Sequence, residues 1–144
     1  MFYGCTSLTE APVLPATSLD NSCYSYMFNG CTSLTTAPAL PATTLADDCY
    51  SYMFGGCTSL NKAPELPATN VIGTGTVNGC YRHMFDGCTS LNKITIYANN
   101  YIEYATNQWL NGVSTTGDFY NLGGANYLIG ASGIPSGWTE HTSL

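Results

Sequence analysis

The sequence predicts an α/β solenoid: an arc with a short parallel β-sheet on its concave face, short helices on its convex face, and a C-terminal cap. Two observations carry that expectation. The dipeptide Met-Phe recurs at Met1-Phe2, Met27-Phe28 and Met53-Phe54, 26 residues apart, and returns at Met84-Phe85 after 31 because Val71 to Gly79 carries an insertion. A fixed period of this length is how stacked-repeat folds read in sequence. Each unit also keeps one internal order: MFxGCTSL, a polar pair, APxLPAT, an apolar residue (Leu19, Leu45, then Val71 or Ile72) and a Cys-Tyr pair. No unit of that size closes a core alone, so successive units must bury their apolar columns against one another.

Within a unit, Asp20, Asn21 and Ser22 offer capping oxygens to a short helix through Cys23 and Phe28. Gly30 fits the left-handed position that ends it. The same punctuation recurs as Asp47-Asp48 with Gly56, and Gly87 closes the last copy. Cys23, Met27 and Cys31 are spaced i, i+4, i+8 with Phe28 beside them, so that side should face the core. Past the helix, Leu34, Ala37 and Leu40 point inward along an extended segment, and the last copy shows the plain form LxxIxI in Leu91, Ile94 and Ile96. The three earlier copies carry one extra residue, Pro12, Pro38 or Pro64, which lacks an N–H and should force a bulge or sit where its ladder bond is missing. Pro15, Pro41 or Pro67 then ends each strand. Strands stack ~4.8 Å apart and helices ~8–10 Å apart, a mismatch that would curve the stack.

These units, LxxIxI, MFxGC and the strand-ending proline, resemble the BspA-like leucine-rich repeats of bacterial surface proteins over residues 1 to about 97. The chain departs from that pattern in its longer unit and in Ala11, Ala37 or Ala63 at an aliphatic strand position. The resemblance implies a leucine-rich-repeat arc in an extracellular, non-catalytic adhesion or ligand-binding array. Residues 98–144 read as a capping segment, with a helical turn at Asn107 to Gly112, a strand at Gly117 to Leu122, and Trp109, Phe119, Tyr120 and Trp138 covering the last unit. Met1 falls mid-unit, equivalent to Met27, so the chain reads as the tail end of a longer array.

Composition narrows the function. Lys62, Arg82 and Lys93 are the three cations against nine carboxylates, a net charge of -6, the wrong sign for a nucleic-acid backbone or an anionic lipid surface. No apolar run reaches the ~20 residues of a membrane span. Seven cysteines suggest disulfides, yet Cys23/Cys31, Cys49/Cys57 and Cys80/Cys88 sit eight apart on the expected helix, which rises ~12 Å over that distance, beyond the reach of a bridge. Buried free thiols are favoured, with pairing between adjacent units as the remaining route. His83 and His141 lie far apart and no C-x-x-C is present, so neither a metal nor another cofactor is expected. His83 occupies the column of Tyr26 and Tyr52 and reads as a variant surface aromatic. The Ser and Thr of CTSL recur in every unit, which argues for structure over catalysis, and Asp47-Asp48 read as helix-start charges.

What remains is surface. The outward strand positions form columns whose members are the candidate concave binding strip: Thr9, Glu10, Thr35, Thr36, Asn61, Lys62, Glu65, Asn92, Lys93 and Thr95. Short polar side chains across parallel strands can hydrogen-bond a protein or glycan; simple solvation accounts for them equally. Tyr24, Tyr50 and Tyr81, with Tyr26 and Tyr52, form a second candidate patch, or shield the core edge. The reading is an extracellular binding or adhesion scaffold; the alternative is a structural spacer or fibre module on a cell surface or phage tail.

Overall fold

The computed structural model describes residues 1–74 and 78–144; Gly75, Thr76 and Val77, part of the expected insertion, lie outside the described residues. We number the successive units coil 1 (1–20), coil 2 (21–46), coil 3 (47–72), coil 4 (80–97) and coil 5 (98–122). The helices expected on the convex face are absent: among the described residues no segment is helical, and the α/β solenoid is thereby corrected. The stretch from Asn21 to Gly30 is a ribbon of overlapping turns.

Hydrogen bonding gives the reason. An α-helix sends each N–H to the carbonyl four residues back. In coil 2 the odd-numbered amides close shorter turns, Cys23 onto Asp20, Ser25 onto Ser22, Met27 onto Tyr24, Asn29 onto Tyr26 and Cys31 onto Phe28, at 3.0–3.3 Å. The even-numbered amides leave the coil altogether. Ser22, Tyr24, Tyr26, Phe28 and Gly30 donate to the carbonyls of Asp47, Cys49, Ser51, Met53 and Gly55 in coil 3, at 2.8–3.0 Å. Half of the ribbon's donors therefore serve the neighbouring coil, which no helix could do.

The backbone achieves this with a positive φ at every fourth residue: Ser22 (56°), Tyr26 (57°) and Gly30 (77°), then Asp48 (54°), Tyr52 (54°) and Gly56 (72°). Gly30 and Gly56 adopt that conformation freely. At the others it costs about 1–2 kcal/mol each, offset by the inter-coil bonds and by ring stacking. Because the ribbon bonds coil to coil as a strand does, the mismatch between helix and strand spacing invoked for the arc does not arise.

The core is a set of files running along the stack. Phe2, Phe28, Phe54 and Phe85 lie ring over ring at 5.5, 5.6 and 5.6 Å, the last three fully buried. Tyr24, Tyr50, Tyr81 and Trp109 form a second file at 6.0, 5.9 and 6.1 Å. Between them the thiols of Cys31, Cys57 and Cys88 donate to the carbonyls of Phe2, Phe28 and Phe54, one coil back, at 3.0, 3.2 and 2.9 Å. All seven cysteines are free; Cys5 and Cys23 are exposed and the other five buried.

Burial pushes the thiols of Cys49 and Cys57 up from 9.0 to about 12, and raises Cys80, Cys88, Tyr50 and Tyr81 as well. A group held protonated in the fold but free to ionise in the unfolded chain favours the unfolded state as pH rises past its ordinary value. Stability should thus be unaffected by these groups below pH 9 and fall steadily above it; urea unfolding between pH 7 and 11 measures this, and a flat profile would contradict the buried-thiol columns.

The backbone repeat does not stop at residue 97, although the sequence repeat does. Tyr81, His83, Phe85 and Gly87 donate to Ala105, Asn107, Trp109 and Asn111 in the same alternating pattern, and Gln108 (52°) and Gly112 (69°) take the positive-φ positions. The expected helical turn at 107–112 is therefore ribbon.

Within the insertion, β1 (Gly73–Thr74) pairs antiparallel with β2 (Asn78–Gly79), against Tyr104 and Ala105 of coil 5. Gly79 lies so close to the Tyr104 carbonyl that a Cβ would collide with it. A parallel three-stranded sheet then joins β3 (Lys93–Ile96), β4 (Gly117–Asn121) and β5 (Trp138–His141), with Lys93 opposite Asp118 and Gly117 opposite Trp138. Only β3 belongs to the sequence repeats; coils 1 to 3 contribute isolated parallel bridges, Glu10 to Thr36 and Lys62 to Lys93 among them.

Candidate binding groove on the strand face

The extended half of each coil carries the candidate strip. Lys62 pairs with Lys93 and Leu66 with Ile96, so four residue steps in coil 3 match three in coil 4. The extra residue is absorbed around Pro64 as a bulge, the effect expected of a proline lacking its ladder donor. One consequence concerns charge: Lys62 and Glu65 are three apart in sequence but two ladder steps apart, so both face outward.

Thr9, Glu10, Thr35, Thr36, Asn61, Lys62, Glu65 and Asn92 are exposed, and Lys93 is half-buried. Thr95 is a correction: it is only 5% exposed. Its strand is flanked on both sides, by Leu66, whose amide bonds the Thr95 carbonyl, and by Tyr120, its ladder partner. A short side chain there is shadowed by its larger neighbour.

Thr35, Thr36, Asn61, Lys62 and Glu65 come together around an open groove of ≈ 630 Å³ between coils 2 and 3. Its apolar lining is Ala37, Ala39, Leu40 and Ala63 with Pro38, Pro41, Pro64 and Pro67. Thr9 and Glu10 lie one coil before it, and Asn92 and Lys93 one coil after; none of these four lines it.

The strip continues past Lys93 into residues that sequence reasoning assigned to capping. Lys93 Nζ sits 4.8 Å from the Tyr120 ring centre, Tyr120 stacks on His141 at 4.6 Å, and His141 Nε2 donates to Asp118 Oδ1 at 2.7 Å. The alternation in Gly117–Asn121, with Phe119 and Asn121 buried and Asp118 and Tyr120 outward, is the signal that could have found them.

No protein-family model matches the chain, and no curated protein or solved structure matches it either.

The second candidate patch assembles only in part, with Tyr26 still 43% exposed. Tyr50 and Tyr81 are 1% exposed and belong to the core. Tyr26 and Tyr52 stack face to face at 4.7 Å and His83 on Tyr52 at 4.4 Å, so their ring faces are spent on each other. His83 Nδ1 donates to Asp86 Oδ2 at 2.7 Å. Asp48, expected to cap a helix, instead takes a left-handed conformation and lies 3.6 Å from Arg82 of coil 4. Among the described residues no cluster of His, Cys, Asp or Glu could hold a metal ion, and no helix is long and apolar enough to cross a membrane.

Proposed function

We propose that the chain is an extracellular, non-catalytic binding or adhesion scaffold that takes a protein or glycan on its strand face. The observation that carries this reading is the groove between coils 2 and 3, where five residues of the sequence-derived strip meet around one concavity. Its volume falls in the range of ligand-binding clefts, and its mix of apolar walls with a few polar side chains suits recognition. The resemblance of the repeat units to BspA-like surface repeats points the same way.

The test is binding to a glycan array and to a panel of immobilised extracellular-matrix proteins, with the chain and a Lys62→Ala/Lys93→Ala variant. Each exposed charge contributes about 0.2–1 kcal/mol, so the double variant should bind about twofold to thirtyfold more weakly. A chain that binds neither panel would instead fit the spacer reading, for which the coil-to-coil bonding of the ribbon supplies the required stiffness.

A further inference from the structure

The groove marks a break in the strand ladder. Coil 2 is bonded to coil 1 through Thr35 N–H to the Thr9 carbonyl (3.2 Å) and Thr43 N–H to that of Thr17 (3.1 Å). Coil 3 is bonded to coil 4 through Ala63 N–H to the Lys93 carbonyl (3.0 Å) and Leu66 N–H to that of Thr95 (3.1 Å). Between coils 2 and 3, from Thr35 to Leu45 and from Asn61 to Val71, no hydrogen bond crosses, although the ribbon halves of the same two coils are fully laddered. Both facing edges are left bare over the length of the groove.

An edge of this kind accepts an extended backbone, here through its carbonyls and the N–H groups of its residues other than Pro38, Pro41, Pro64 and Pro67. The rim supplies the register. Lys62 and Glu65, both exposed and both lining the groove, stand two ladder steps apart because of the Pro64 bulge. Side chains on one face of an extended peptide recur with the same spacing, so an acidic residue meets Lys62 while a basic one meets Glu65. No aromatic ring lines the groove, and a sugar would find no platform to stack on.

We propose that the groove between coils 2 and 3 binds an extended peptide carrying an acidic and a basic residue two positions apart. This rests on the scaffold reading and names its ligand class.

The experiment is selection of random dodecapeptides displayed on phage against the whole chain, followed by affinity measurement on synthetic peptides. Selected peptides should converge on opposite charges at alternate positions and bind Ala39→Trp, which fills the groove from an exposed position, at least about tenfold more weakly. The charge-swapped variant Lys62→Glu/Glu65→Lys should select the opposite order of charges. Failure to converge, or binding that both variants leave intact, overturns the peptide assignment. A chain that binds a glycan but selects no peptide overturns it while the scaffold reading stands; a chain that binds neither removes both.

Discussion

Truncating Phe54 to alanine lowers the free energy of unfolding by about 3–5 kcal/mol, a large share of the ~5–15 kcal/mol a domain possesses. Phe54 is fully buried with a ring stacked on each side, Phe28 at 5.6 Å and Phe85 at 5.6 Å. Neither neighbour can slide into the gap, because the ribbon amides of Phe28 and Phe54 are tied to the carbonyls of Met53 and Met84. Denaturant unfolding reads the loss directly. Val13→Ala, at a side chain 86% exposed, serves as the comparison and should change stability by less than about 0.5 kcal/mol. A loss at Phe54 no larger than that at Val13 would mean that the aromatic file is not the core.

Trp109→Ala should cost as much again, about 3–5 kcal/mol for the cavity, with a further ~1–3 kcal/mol because the Gly133 carbonyl loses the indole donor at 2.9 Å. Trp109 carries the tyrosine file from Tyr81 on to Tyr127, stacking at 6.1 and 6.2 Å, and meets Phe119 edge-on at 6.0 Å. Its loss uncouples residues beyond coil 5 from the stack, so hydrogen exchange should accelerate at Phe119 and Ile134 before it does at Phe28. Uniform acceleration across the chain would count against a local role for this residue at the end of the stack.

The period, the inward columns and the proline bulge were legible because they depend on residue identity: Phe at one position, Leu at another, and a missing N–H at Pro64. The ribbon was not. Cys23, Met27 and Cys31 share a face at four-residue spacing whether the backbone is an α-helix or a chain of turns with a left-handed residue at every fourth position, and only the destination of the even-numbered amides separates the two. Tyr26 and Tyr52 gave no warning, since tyrosine has no local preference for positive φ; the stacking of their rings along the file accounts for them.

Coil 5 escaped notice for a related reason. Trp109 and Leu110 stand where Met84 and Phe85 stand one coil earlier, so the backbone kept its pattern while the side chains changed. The strip was found in outline, but the exposure of Thr95 depended on Tyr120, a residue of a strand that sequence reasoning had placed in the cap. The groove itself had no sequence signature, because it arises from bonds that coils 2 and 3 do not make.

The central claim is that alternate amides of the ribbon belong to the next coil. Scalar coupling across hydrogen bonds, measured by NMR on the labelled chain, tests it at one atom pair: the N–H of Phe28 should couple to the carbonyl of Met53, 2.9 Å away. Coupling of that N–H to the carbonyl of Tyr24, four residues back in its own coil, would restore the helix and contradict the account.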